Sequence, residues 1–100
     1  MIDARAVAAC EGFDWDEANA EKLLRRHGVT PEECEEVFER APVLRAADFF
    51  HPGGEVRHYA IGRTAAGRAL FVVFTVRRNL IRALSARNAN RKERKELSTS

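Results

Sequence analysis

The sequence predicts a single α+β domain with two N-terminal helices, a four-stranded antiparallel sheet and a C-terminal helix. Helix caps and helical apolar spacing occupy residues 16–40. Short stretches rich in β-branched and aromatic residues then alternate with turn sequences between residues 43 and 86. A further capping pattern opens a last helix near residue 90. The 100 residues leave room for one hydrophobic core, so we expect residues 1–100 to form one domain.

The first predicted helix has Asp16 as its N-cap and ends before Gly28, which suits the left-handed position after a helix. We expect His27 to be a core histidine that is hydrogen-bonded near the end of the helix. The apolar positions recur at spacings of three and four and should form one buried face: Ala20, Leu23, Leu24 and His27.

The second predicted helix has Thr30 as N-cap, Pro31 at the first helical position and Glu33 as the partner in a capping box. Val29 and Cys34 fit the two ends of a hydrophobic staple. Pro42 prevents much continuation beyond residue 40. The buried stripe should be Cys34, Val37 and Phe38, and the side chains expected to face water or a partner are Glu32, Glu35, Glu36 and Glu39.

Four strands are predicted at residues 43–46, 56–61, 70–76 and 80–86. The third is continuously apolar from Leu70 to Phe74, so we expect it to be central and covered on both faces. Residues 62–67 form a hairpin connection, and residues 77–79 form a tight turn.

The two ends of the chain carry weaker signals. Residues 1–12 show no periodicity and predict a loosely docked leader. Asn90 and Glu93 match a second capping box, which predicts a helix to about Leu97. Residues 98–100 are expected to be a disordered tail.

Charge is divided unevenly along the chain. Residues 1–50 hold 6 Lys/Arg and 12 Asp/Glu, whereas residues 51–100 hold 11 Lys/Arg and 3 Asp/Glu. This division indicates a basic surface for a polyanion or an acidic partner, or else two halves that neutralise each other within the fold.

The two cysteines, Cys10 and Cys34, have neither zinc-ligand spacing nor a disulfide pattern. Cys34 is expected to be a small buried apolar group. The longest apolar run, residues 69–74, is far shorter than a membrane span. We therefore expect a cytoplasmic protein without a membrane segment, a metal site or a cofactor.

Three groups of residues resemble the BrnT toxin family, and they occur in the family's order between residues 13 and 97. The first group is FDWD at 13–16 with RHGV at 26–29. The second is Asp48 and His51, followed by Gly54, Glu55, Arg57, Ile61 and Gly62. The third is Thr75, Ile81, Arg82, SAR at 85–87 and RKER at 91–94.

This resemblance implies a RelE-like fold and an endoribonuclease toxin of a type II toxin–antitoxin system. It further implies a BrnA-like ribbon-helix-helix antitoxin that neutralises the toxin. Contact with operator DNA would occur only through that antitoxin.

Four positions depart from the family pattern. Asn19 stands where the family usually has lysine, Leu23 where it has asparagine, and Val76 where it has glutamate. Asn90 stands where it has serine or threonine, but asparagine caps a helix equally well. Asn19 and Val76 favour an alternative: a catalytically weak or inactive relative that binds the antitoxin and acts as a corepressor.

Metal-free RNA cleavage requires a base for the 2′-hydroxyl proton, cations for the charge on the phosphorane, and an acid for the leaving oxygen. Arginine suits the second task because its planar fork meets phosphate oxygens bidentately. The candidate catalytic residues are the arginines Arg57, Arg77 and Arg82, with His51 and Glu55 as candidate proton carriers.

Four further basic residues are candidates for RNA binding: Arg78, Arg87, Arg91 and Lys92. Strand alternation predicts Arg82 and Arg87 on opposite faces unless a bulge intervenes. For each single arginine, a solvated strand end is the alternative. Tyr59 and Trp15 could stack on bases, although Trp15 is expected to pack into the core.

Overall fold

The computed structural model describes residue 7 and residues 9–50 and 56–99. Within these ranges the chain forms five strands and three helices. In chain order they are β1 (Gly12–Phe13), α1 (Glu17–His27), α2 (Pro31–Glu39), β2 (Val43–Phe50), β3 (Val56–Arg63), β4 (Ala69–Arg77), β5 (Leu80–Asn88) and α3 (Arg91–Thr99). The α+β class and the three helices expected from the sequence are confirmed.

The sheet has five strands in the order β1-β5-β4-β3-β2, and it is mixed. Strands β2 to β5 form the predicted antiparallel meander, whereas β1 pairs in parallel with β5. The prediction of a four-stranded antiparallel sheet, with residue 12 in a loose leader, was therefore wrong. The amide of Glu11 donates to the Asn79 carbonyl at 2.8 Å, and that of Asp14 donates to Ile81 at 2.9 Å. A two-residue strand is too short for a periodic pattern to reveal it.

The helix caps form as predicted. The Asp16 side chain accepts from the Asn19 amide, and Gly28 follows α1 in the left-handed conformation at φ 64°. Thr30 and Glu33 form the reciprocal capping box at the start of α2. These bonds satisfy backbone groups at the ends of the two helices.

Helices α1 and α2 cover one face of the sheet. Val29 and Cys34, the expected hydrophobic staple, are both completely buried, as are Val37 of α2 and Val72 and Phe74 of β4. Burial raises the pKa of the Cys34 thiol to about 12, consistent with its predicted role as an apolar group.

The predicted inner face of α1 was too broad. Leu23 is buried, but the Leu24 residue is 55% exposed and His27 is also exposed, so His27 is not a core histidine. Helix α1 packs chiefly against β5, next to the edge strand β1. Only a narrow stripe of the helix is therefore covered.

Two glutamates of α2 that were expected to face water or a partner make hydrogen bonds within the chain. Glu35 Oε2 accepts from the indole N–H of Trp15 at 2.9 Å. Glu36 Oε1 accepts from the amide of Ala65 at 3.1 Å. These contacts join α2 to the segment before α1 and to the β3–β4 hairpin.

Helix α3 covers one end of the opposite sheet face. Leu97 packs against a second apolar cluster that contains Val43, Ile61 and Ala89. The helix continues to Thr99, so residues 98 and 99 are helical and not part of a disordered tail.

Candidate functional site

The candidate site lies on the second face of the sheet, which we define as the face opposite α1 and α2. Residues that are register partners on adjacent strands share a face, and alternate residues along a strand do so as well. On this basis the second face carries three rows across β3, β4 and β5: Arg57, Thr75 and Arg82; Tyr59, Val73 and Ser85; and Ile61, Phe71 and Arg87.

A register shift in β5 creates this arrangement. Val73 pairs with Ser85, whereas the next residue of β4, Phe74, pairs with Ala83. Leu84 is therefore the extra residue of a β-bulge. The expectation that Arg82 and Arg87 lie on opposite faces is corrected: the bulge brings both onto the second face.

Arg57 lies next to the buried Thr75, whose hydroxyl donates to the Val56 carbonyl at 2.9 Å. The register between β3 and β4 pairs His58 with Phe74, and its continuation sets Arg57 opposite Thr75. Arg57 is half-buried, and its Nε is one of two buried side-chain nitrogen or oxygen atoms without a hydrogen-bond partner in the described part of the chain. A buried donor without an acceptor is energetically costly and uncommon.

Arg82 is held by two carboxylates of the chain itself. Its Nη2 donates to Asp16 Oδ2 at 2.7 Å, and its Nη1 lies 3.5 Å from Asp14 Oδ2. The hydrogen bond with Asp16 raises the pKa of Arg82, and the same contact lowers the pKa of Asp16. Arg82 thus fixes the start of α1 to β5.

Arg87 is also paired. Its two terminal nitrogens donate to both carboxylate oxygens of Glu93, at 2.8 and 2.9 Å. Its guanidinium carbon lies 4.3 Å from the ring centroid of Phe71. Burial would raise the pKa of Glu93, but the bonds from Arg87 and from the Asn90 amide outweigh burial and lower it.

Arg77 and Arg78 lie at the β4–β5 connection, as predicted. Arg77 ends β4 and is exposed, while Arg78 and Asn79 have φ angles of 53° and 63°. Two successive residues with positive φ are typical of a tight type I′ hairpin turn. Arg77 and Arg78 line a cavity of about 350 Å³ together with Asp14.

The remaining candidates have different positions. Arg91 and Lys92 are exposed in the first turn of α3. His51 and Glu55 lie outside the described residues. Among residues 7, 9–50 and 56–99, no group of three His, Cys, Asp or Glu side chains could hold a metal ion.

His58 lies on the helix-covered face, where its ring centroid is 5.7 Å from that of Phe74. Burial lowers the pKa of His58, so the neutral imidazole is favoured. Its Nδ1 is buried without a hydrogen-bond partner among the described residues.

Arg68 is an important residue that the sequence analysis missed. Its guanidinium donates to the His27 and Gly28 carbonyls at 3.1 and 2.8 Å, to Glu33 Oε2 at 3.1 Å and to Asn88 Oδ1 at 2.8 Å. It therefore joins the end of α1, the start of α2 and the end of β5. No local pattern marks an arginine whose partners are 20 to 41 residues away.

No helix in the described ranges is long and apolar enough to cross a membrane. The fold and the second face define a small α+β protein with several arginines gathered on one side of its sheet.

The chain belongs to the BrnT family. The family model described as "Ribonuclease toxin, BrnT, of type II toxin-antitoxin system" matches residues 15–93. The family is thus one of ribonuclease toxins, and membership implies an RNA substrate and an antitoxin partner. No curated protein sequence matches the chain.

Among solved structures, the crystal structure of the Brucella abortus ribonuclease toxin BrnT is similar to the chain, with a TM-score of 0.54 and 20% sequence identity. The match covers 80% of this chain and 97% of the Brucella chain. At this identity the likeness supports the fold.

Proposed function

We propose that the chain is an endoribonuclease toxin that cleaves RNA without a metal ion on the second face of its sheet. The observation that carries this proposal is the half-buried Arg57, whose Nε has no acceptor in the described structure. Arg57 and Arg82 lie on either side of Thr75, two strands apart, so their Cα atoms are about 10 Å from each other. One phosphodiester fits between two side chains at this spacing.

The cleavage step consists of attack by the 2′-oxygen on phosphorus and loss of the 5′-oxygen. A base takes the 2′-hydroxyl proton, and an acid returns a proton to the departing 5′-oxygen. The products are a 2′,3′-cyclic phosphate and a 5′-hydroxyl end. Arg57 is the main group that stabilises the charged phosphorane, because its buried Nε has no hydrogen-bond partner among the described residues.

Arg77 is the second phosphate-binding arginine of the proposal, since it is exposed at the same end of the sheet. Arg82 contributes less, because Asp14 and Asp16 already balance its charge. His51 and Glu55, close to Arg57 in sequence, remain the proposed proton carriers.

Binding of the RNA strand outside the cleaved bond is assigned to Arg78, Arg91 and Lys92, which are exposed. Such contacts with phosphates weaken as salt rises. Arg87 acts indirectly by holding α3 against the sheet through Glu93.

We further propose that a BrnA-like ribbon-helix-helix antitoxin neutralises this cytoplasmic toxin and alone contacts operator DNA. The basic second half of the chain supports an electrostatic contribution to that complex. Higher salt should then weaken the complex, and an affinity independent of salt would exclude this contribution. The RelE-like relationship of the fold belongs to the same proposal.

The test is cleavage of an end-labelled RNA by the purified chain in excess EDTA, with analysis of the new ends. We expect 2′,3′-cyclic phosphate and 5′-hydroxyl ends, and loss of cleavage when the antitoxin is added. Intact RNA under these conditions, together with harmless expression in cells that lack the antitoxin, would contradict the proposal.

A second candidate function is antitoxin binding without cleavage. It is favoured by the pairing of Arg82 and Arg87 with Asp16 and Glu93, which neutralises two of the three arginines in the rows of the second face. A stable antitoxin complex that represses its operator while RNA stays intact would support this function over the first.

A further inference from the structure

We propose that the cavity between α3 and the second face binds a single RNA base. This inference rests on the proposed function and adds to it a site for one base of the RNA substrate. The cavity has a volume of about 250 Å³. Its walls are Tyr59, Ile61 and Phe71 on the sheet side, and Asn90, Lys92, Glu93 and Glu96 on the helix side.

The lining suits a flat aromatic group with polar edges. The Tyr59 and Phe71 rings stack on each other, with centroids 4.9 Å apart and an interplanar angle of 29°. Arg87 covers the other face of Phe71 at 4.3 Å, so a base would stack on the outer face of Tyr59. Aromatic side chains receive nucleic-acid bases by stacking, and polar groups at the rim contact the base edge. The volume is below the about 300–1,000 Å³ of pockets for drug-sized ligands, so it fits one base and not a longer segment.

The cavity lies beside the proposed phosphate site. Tyr59 and Arg57 are two residues apart on β3 and share a face, which separates their Cα atoms by about 7 Å. One nucleotide spans such a distance between its phosphate and its base. Arg45 of β2, which is exposed, pairs with Tyr59 in register and adds a cation on the other side.

The helix wall of the cavity is held in place before any ligand binds. Glu93 accepts hydrogen bonds from both terminal guanidinium nitrogens of Arg87. It also accepts a hydrogen bond from the Asn90 amide at 2.8 Å. Arg94 Nη1 donates to the Ala89 carbonyl at 2.7 Å. Because pre-organised sites lose little freedom on binding, a base bound in the cavity should add to the RNA affinity at one nucleotide position.

The experiment measures binding of a non-cleavable 2′-O-methyl RNA whose nucleotides are replaced, one at a time, by an abasic residue. The protein is the full chain without antitoxin, and fluorescence anisotropy gives the affinity. We expect one position at which base removal weakens binding by about 5- to 150-fold, the cost of one lost base stack. Tyr59→Leu should abolish the effect of that position, whereas Tyr59→Phe and the surface control Leu24→Ala should retain it. Urea unfolding of each variant verifies that the chain is folded.

The outcomes separate this inference from the proposed function. A Tyr59-dependent base position in a chain that leaves RNA intact would support the base site and contradict the nuclease. If the chain cleaves RNA but Tyr59→Leu does not change the abasic binding profile, the base site is overturned and the nuclease proposal is still supported. Absence of binding to this RNA would overturn the base site, and intact unmodified RNA in the cleavage assay as well would overturn both. If Tyr59→Leu does not fold, the milder variant Lys92→Ala takes its place, with Lys22→Ala as the control. Loss of the base-position effect in Lys92→Ala would support the site. An abasic profile that Lys92→Ala leaves unchanged would overturn it.

Discussion

The guanidinium of Arg87 donates to both carboxylate oxygens of Glu93, at distances of 2.8 and 2.9 Å. The Glu93 side chain is 14% exposed, and it also completes the cap of α3 with Asn90. One residue therefore connects the last strand and the last helix. Charged, bidentate contacts of this kind are stronger than neutral hydrogen bonds.

We expect Glu93→Ala to lower the free energy of unfolding by about 1–2 kcal/mol, after allowance for the partial exposure of Arg87. The control is Glu21→Ala, which removes an exposed pair with Arg25 and should cost at most about 0.5 kcal/mol. Urea unfolding measures both. Equal losses in the two variants would show that the pair with Arg87 contributes nothing specific.

The stability should also fall in acid. The pKa of Glu93 is lowered below its ordinary value of 4.5 in the folded chain. The unfolded chain therefore binds more protons near and below pH 4.5, and the stabilisation is lost as the pH falls through the folded pKa. Glu93→Gln should show a shallower decrease between roughly pH 5 and 3 than the unaltered chain. Parallel curves of unfolding free energy against pH would contradict this assignment.

Arg68 should be among the residues most sensitive to truncation. Arg68→Ala removes hydrogen bonds to two carbonyls, to Glu33 and to Asn88, and we expect a loss of about 2–3 kcal/mol in urea unfolding. Arg68→Lys should recover only a part of the lost stability, because an ammonium group cannot reproduce the several directed hydrogen bonds of the planar guanidinium. Arg63→Ala, in the same hairpin but exposed, is the control. Full recovery by lysine would mean that charge alone matters.

Gly62 allows α2 to approach β3 closely. A Cβ at this position would lie 2.9 Å from Val37 Cγ1 and 3.2 Å from Pro42 Cβ. Gly62→Ala should therefore destabilise the fold by about 1–3 kcal/mol through overpacking. Gly12→Ala is the matched control, because the nearest atom to its new Cβ is 3.9 Å away. Thermal unfolding with the same midpoint for both variants would contradict the close approach.

The sequence predicted the parts of the fold that depend on neighbouring residues. The capping boxes at Thr30 and Asn90 and the left-handed Gly28 all involve bonds within a few residues, so a local pattern reveals them. Strand β1 and the contacts of Arg68 depend on residues distant in the chain, and no local pattern revealed them.

The candidate site was predictable in residue type but not in arrangement. Alternation along a regular strand would place Arg82 and Arg87 on opposite faces of the sheet. The bulge at Leu84 places them on the same face. The pairing of Arg82 with Asp16 could not be read from the sequence either, because 66 residues separate them. Arg57 is the main candidate because its buried Nε has no partner in the described part of the chain, whereas Arg82 and Arg87 are paired with carboxylates.

The most direct test of the proposed site compares RNA cleavage by Arg57→Ala with cleavage by Arg26→Ala, a truncation of an exposed arginine on α1. We expect kcat/KM of Arg57→Ala to fall by about 10²–10³-fold, as for loss of one transition-state donor, with partial rescue by added guanidinium. The free energy of unfolding should not fall, because Arg57 Nε makes no hydrogen bond within the described part of the chain. Cleavage by Arg57→Ala at the rate of Arg26→Ala would contradict the assignment of the second face as the catalytic surface.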